Sequence, residues 1–210
     1  MLALRENRSD HSHSSLLTVY VDEVIKEAGI TLNDLDAVTV SKGPGSYTGL
    51  RIGVSAAKGF CYALDIPLIA VGTLVSMTAG IINFPEFAKE EFLFCPLLDA
   101  RRMEVYCAGY NKKLETIKET AAEIIDAFSF SELLAKNKMV FFGDGAAKCK
   151  ELLRSNPNAV FMDDVFSSAK NMISLALNKF SQKQFEDVVY FEPFYLKEFI
   201  AGKPNVKGLK

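Results

Sequence analysis

Residues 38–64, VTVSKGPGSYTGLRIGVSAAKGFCYAL, place an apolar strand-like run, a loop built on Gly43-Pro44-Gly45-Ser46-Tyr47 and a helix-periodic segment in immediate succession. A strand that feeds a helix through so short a turn finds its neighbours in a parallel sheet flanked by helices. The surrounding sequence repeats the alternation. Between residues 12 and 29, Leu16, Leu17, Tyr20, Val21, Val24, Ile25 and Ala28 follow the period of an amphipathic helix, with Ser12 or Ser14 suited to its start and Gly29 to its end. A strand over 35–41, a helix over 48–64, a strand over 67–71 and a helix over 73–82 complete this half.

The second half opens with extended runs over 92–99 and 103–110, joined by the tight, charged Ala100-Arg101-Arg102, which is a hairpin pattern. A strand within 114–125 is expected next, then a helix to residue 136 with Ser129-Phe130-Ser131-Glu132 as its capping box. Strands over 139–142 and 159–162 alternate with helices over 145–154 and 168–182. The second half thus reads β-β-β-α-β-α-β-α. The first reads the same without its opening hairpin, residues 2–5 being its one candidate opening strand. A chain of 210 residues with 49% hydrophobic content can bury two small cores. The expected lobes are 1–90 and 91–210.

The glycine loop fits neither standard nucleotide pattern. Gly43, Gly45 and Gly49 are one residue too widely spaced for the dinucleotide fingerprint, and no GK[ST] follows, Lys58 lying several turns away. A competent P-loop is excluded. The helix itself carries Gly49, Gly53 and Gly59, each disfavoured by about 0.5–1 kcal/mol relative to Ala. Gly49, Gly53, Ala56 and Ala63 form a small-residue stripe beside Leu50, Val54, Ala57, Cys61 and Leu64. One stripe suits a sheet and the other a closely approaching helix, either 12–28 of the same chain or one from a partner. Arg51 sits near the helix N-terminus, where the macrodipole disfavours a cation. Either an anionic partner offsets it or solvent does.

Charge and residue supply exclude several function classes. With 24 Lys+Arg against 26 Asp+Glu the formal net charge is -2, unlike a nucleic-acid binder that acts alone. Cys61, Cys95, Cys107 and Cys149 form no CxxC pair and read as buried structural thiols of a reducing compartment. No apolar run reaches a membrane span and the first residues lack a signal-peptide pattern, so the expected location is cytoplasmic, with no membrane. His11 and His13, two apart, would point to opposite sides of a helix and cannot by themselves assemble a metal site. There is no Gly-x-Ser-x-Gly elbow. Asp99 and Arg101 suit an ion pair shaping the hairpin turn or a ligand contact, and Asp163 and Asp164 suit the N-terminus of the last helix. Lys197, Lys203, Lys207 and Lys210 against Glu198 make a basic end, either a solvated tail or a phosphate contact.

The run 41–53, SKGPGSYTGLRIG, followed by Ala57-Lys58-Gly59, closely resembles the signature of the bacterial TsaB (YeaZ) family. The resemblance extends to His13-Ser14, to 67–74, to Asp99-Ala100-Arg101 with Glu104-Val105-Tyr106, and to Pro193 with Tyr195-Leu196-Lys197. Its family motif comprises Gly43, Pro44, Gly45, Ser46, Thr48, Gly49 and Arg51. The resemblance implies an α/β protein of two duplicated actin/Hsp70-like (ASKHA, ribonuclease H-like) subdomains, here with the first lacking its opening β-hairpin. A misplaced start or a truncated chain is expected rather than a natural deletion, because losing central strands exposes apolar surface and unpaired backbone.

The resemblance also implies a role: a non-catalytic scaffold in the complex that installs threonylcarbamoyladenosine beside the anticodon of tRNAs reading ANN codons. The implied partners are the catalytic subunit TsaD, TsaE on the assembled heterodimer, and a second copy when TsaD is absent. Contact with tRNA is expected only through the complex. No cofactor is expected on this subunit alone; ADP/ATP and metal belong to the assembly. Leu17, Tyr20, Val24, Gly53, Ala56 and Phe60 are the expected interface positions. The rival readings are a metal-dependent peptidase or nucleotide hydrolase of the same superfamily, and a stand-alone tRNA-binding module.

Overall fold

The structure is a computed structural model that describes residues 1–7 and 13–197, with backbone alone for 13–15. Helix α1 (His13–Ala28) ends as its glycine dictates. Gly29 adopts φ +69°, and its N–H and that of Ile30 turn back to the carbonyls of Lys26 and Ile25, closing a Schellman motif. Residues 1–7, expected to open with a strand, form none. Without a hairpin to pair with, this stretch leans on α1, where Arg5 bonds to Glu23 at 2.8 Å and Glu27 at 2.5 Å.

Strand β1 (Val38–Gly43), helix α2 (Tyr47–Leu64), strand β2 (Leu68–Gly72) and helix α3 (Thr73–Ala79) follow. β1 and β2 make a parallel two-stranded sheet with Val38 opposite Leu68 and Ser41 opposite Val71. β1 starts three residues later than expected and α3 stops at Ala79, where Gly80 closes the last turn. α2 lays Val54, Ala57 and Cys61 over Val40 and Leu68 to make the core of this lobe.

The second sheet has five strands: β3 (Phe92–Asp99), β4 (Glu104–Tyr110), β5 (Thr116–Ile124), β6 (Lys138–Phe142) and β7 (Ala159–Met162), in the order β5-β4-β3-β6-β7. The β3–β4 and β4–β5 pairs are antiparallel and the β3–β6 and β6–β7 pairs parallel, so this sheet is mixed. Helices α4 (Ser131–Leu134) and α5 (Ala146–Leu153) pack on it, as does α3 from the first half, whereas α6 (Ile173–Ser181) packs against β2 of the first sheet. Its core is dense in large side chains: Phe94, Leu97, Leu134, Met139, Phe141 and Phe142 are fully buried.

Two expected helix starts differ. The capping box at 129–132 does not form, because Ser129 turns its hydroxyl to Asp126 and leaves Phe130, at φ +61°, as the residue before α4. Asp163 and Asp164 do not cap the last helix: Asp163 pairs with Lys150, and Ser168 Oγ caps the 3₁₀ turn that leads into α6.

The units β1-α2-β2-α3 and β6-α5-β7-α6 share one succession of elements, and a glycine with positive φ stands at the end of each first strand, Gly43 at +110° as the last residue of β1 and Gly143 at +103° just after β6. In the second sheet β3 lies beside β6. Among the described residues no named strand occupies the corresponding edge of β1. After α6 the chain returns to the first sheet, where Glu186 bridges Leu68 and Phe194 reaches β1.

Candidate functional site

Gly43 is where the loop begins and where glycine is required. At φ +110° a side chain is strained, and a Cβ would lie 2.7 Å from the carbonyl oxygen of Phe194. The returning segment therefore sits directly on the loop, and Phe194 N–H donates to Lys42 O at 2.7 Å. The Gly43–Pro44 peptide is cis and Pro44 is buried. Ser46 caps α2: its hydroxyl accepts from Gly49 N at 3.3 Å and its carbonyl from Leu50 N at 2.8 Å. Ser41 and Thr73 share a 2.7 Å hydroxyl hydrogen bond that ties the end of β1 to the start of α3.

Of the motif residues, Gly45 and Gly49 have no close neighbour that excludes a Cβ, and Thr48 is exposed. Among the described residues Arg51 meets no carboxylate. It donates to Tyr47 Oη at 3.1 Å and stands 5.6 Å from that ring's centroid, while Tyr195 packs on Tyr47 at 5.0 Å.

A cleft of about 410 Å³ opens between the two sheets beside this loop, lined by Lys42, Pro44, Tyr110, Glu119, Lys179 and Phe194 among others. The loop does not suit a nucleotide phosphate. Ser46 already satisfies one helix-start N–H, and the Phe194 carbonyl presents an oxygen to Gly43 where a phosphate cradle needs donors.

The small-residue stripe divides by helical phase. At about 100° per residue, Gly49, Gly53, Ala56 and Phe60 share one half-buried flank of α2. On the opposite flank Lys58 donates to the carbonyls of Val189 at 2.9 Å and Phe191 at 3.1 Å, holding the returning segment. Gly53 is near Val40, its Cβ position 3.9 Å from Val40 Cγ2, an ordinary contact distance that would admit a side chain. α1 packs on α2, and Leu17, Tyr20 and Val24 are each half-buried.

The reactive residues fall outside this site. All four cysteines are buried free thiols. Burial raises the Cys61 thiol and pushes Cys95 well above the ordinary range, Cys107 to about 12 and Cys149 to about 11, so none is a thiolate at neutral pH. Among the described residues no three His, Cys, Asp or Glu side chains converge as metal ligands. His11, Lys203, Lys207 and Lys210 lie outside the described residues, as does the His13 side chain. Among the described residues no helix is long and apolar enough to cross a membrane.

Asp99 and Arg101 shape the hairpin turn. Asp99 Oδ1 accepts from Arg101 N at 2.6 Å and from Lys148 Nζ at 2.8 Å. Partial desolvation pushes this carboxyl up, but the Lys148 and Arg101 hydrogen bonds outweigh it and hold it below its ordinary value near 3.8. A carboxyl depressed on folding stabilises the turn above its unfolded value and loses that effect as pH falls through the folded value. The Arg101 amide should therefore keep its hydrogen-exchange protection until pH falls below the ordinary carboxyl value near 3.8, and Asp99→Asn should abolish the dependence. A pH-independent amide in the parent chain would contradict this.

Sequence reasoning overlooked Lys58 as the tether of the returning segment. The signal was the aromatic density of 185–195, with Phe185, Tyr190, Phe191, Phe194 and Tyr195 too apolar for a solvated connector.

A five-stranded mixed sheet of this order, preceded by a shorter unit with the same succession, defines an actin/Hsp70-like duplicated α/β protein. The family model described as "TsaD: tRNA N6-adenosine threonylcarbamoyltransferase" matches residues 7–203. The chain is 26% identical over 196 residues to the tRNA threonylcarbamoyladenosine biosynthesis protein TsaB of Escherichia coli, covering 91% of this chain and 83% of that one. It is 38% identical over 102 residues to TsaB of Bacillus subtilis, covering 49% of this chain and 42% of that one. YeaZ from Pseudomonas aeruginosa superposes with a TM-score of 0.72 at 23% identity, covering 92% of each chain. The chain belongs to the family that the TsaD model describes, and over most of its length it is similar to the TsaB proteins of that group.

Proposed function

We propose that this chain is a non-catalytic scaffold subunit in tRNA threonylcarbamoyladenosine biosynthesis, acting by binding a TsaD-type catalytic subunit through its N-terminal lobe. The observation that carries the reading is α1. It presents Leu16, Leu17, Tyr20, Val21, Val24, Ile25 and Ala28, and not one of them is fully buried although the helix packs on α2. An amphipathic helix left half-covered fits a subunit whose core is finished by a partner. The names of the full-length relatives support the pathway. The raised thiols support a role without nucleophilic catalysis by cysteine.

In this reading Leu17, Tyr20, Val24, Gly53, Ala56 and Phe60 meet the partner. A TsaE-type subunit joins the heterodimer, ADP/ATP and metal act in the assembly, and a second copy covers the same helices when the catalytic subunit is absent. The lobes divide near residue 90, with the segment after α6 returning to brace the first. The cytoplasm is the proposed compartment.

Tyr20→Asp combined with Val24→Asp should abolish co-purification with the TsaD-type subunit of the same source while the melting transition persists. An intact complex would overturn the helix interface. Stoichiometric bound metal or robust ATP turnover by the purified chain alone would overturn the scaffold reading in favour of an enzyme.

A further inference from the structure

The β3–β4 turn combines an unfavourable backbone with unpaired charge. Arg101 and Arg102 are consecutive left-handed residues, φ +72° and +52°, a conformation that Asn and Gly occupy far more readily. The turn is fixed from beneath: Lys148 Nζ donates to Asp99 Oδ1 and Arg102 O at 2.8 Å and to Glu104 O at 2.6 Å. Of the nearby carboxylates, Asp99 is engaged by Lys148 and Glu104 by Lys197, while Asp144 accepts from Asp99 N at 2.9 Å. Both guanidiniums are exposed, and neither has a hydrogen bond or ion pair among the described residues. In a chain of net charge -2, this tip is a rigidly held pair of free cations.

We infer that the Arg101–Arg102 tip contacts consecutive phosphates of an RNA strand. Guanidinium forks match phosphate oxygens in pairs, and strain held in place by surrounding contacts is characteristic of functional positions. The two guanidiniums dominate the tip; its exposed apolar neighbours are Met103 and, opposite Glu104 on β5, Ile124, and a protein contact made through them is the competing outcome of the test below. Lys197 anchors the chain to Glu104 at the base of the same hairpin. The choice of RNA as the polyanion rests on the proposed role in tRNA modification. The contact is a weak one, which the assembly would reinforce.

The test uses the full chain without any partner and a tRNA transcript, with affinity measured from low to moderate salt. The parent chain should bind weakly at low salt. Arg101→Asn with Arg102→Gly should raise the melting temperature by relieving the turn, yet weaken binding about tenfold and flatten the log–log salt slope by about 1.5. Arg101→Lys with Arg102→Lys should keep the slope. Absence of low-salt binding by the parent chain, or equal affinity and slope in the Asn-Gly variant, would overturn the proposal. So would a variant that loses only the TsaD-type subunit, which would make the tip a protein contact. Failure to co-purify with that subunit in the first place would overturn the scaffold reading and leave this measurement valid.

Discussion

Gly143→Ala should destabilise the chain by about 3 kcal/mol or more, enough to remove much of the stability of a typical domain. At φ +103° an added Cβ would lie 2.4 Å from the carbonyl oxygen of Leu97 and 2.9 Å from Met77 Cε. The methionine can move, but Leu97 is fully buried in β3, the central strand of the five-stranded sheet, and its carbonyl already accepts from Gly145 N at 3.0 Å. Neither side can yield. Gly43→Ala is the informative contrast. Its clash is with the Phe194 carbonyl, which belongs to the returning segment rather than to a sheet interior. That segment should lift while the rest of the fold persists. Equilibrium unfolding would show the difference as a large loss of midpoint for Gly143→Ala and, for Gly43→Ala, a smaller one with increased proteolysis near residue 190. Equal losses would mean that the segment is as integral as β3.

Phe141→Ala should remove about 3–5 kcal/mol, measured by urea titration. Phe141 is fully buried on β6, between Cys95 of β3 and Phe161 of β7 in the strand register. Its ring stacks on Phe161 at 5.3 Å and meets Phe130 at 5.2 Å. Truncation opens a cavity at the middle of a sheet whose strands are pinned on both sides, so collapse cannot refill it. A loss below about 1.5 kcal/mol would show that Phe130 or Phe161 repacks into the space.

Elements governed by local pattern were legible in the sequence. α1, α2 and the β3–β4 hairpin follow from periodicity, from Gly29 at a helix end, and from a charged turn between apolar runs. What the sequence left hidden depended on distant partners. Ser129 satisfies the capping pattern locally, but Asp126 competes for its hydroxyl and wins. Residues 2–5 have strand composition and no neighbour to pair with. The requirement for glycine at position 43 comes from Phe194, far along the chain, which no window around the loop contains. The site was legible as a motif and not as a geometry: Arg51 leans on Tyr47, and Tyr195 completes that contact from the other end of the sequence.

The four sealed thiols make the molecule its own two-channel reporter. Cys61 belongs to the core under α2, whereas Cys95, Cys107 and Cys149 belong to the core of the five-stranded sheet. Held protonated and out of solvent, they react with an alkylating reagent only when the lobe around them opens. Counting modified cysteines over time therefore dates the opening of each lobe separately, in an unlabelled chain and without any engineered probe.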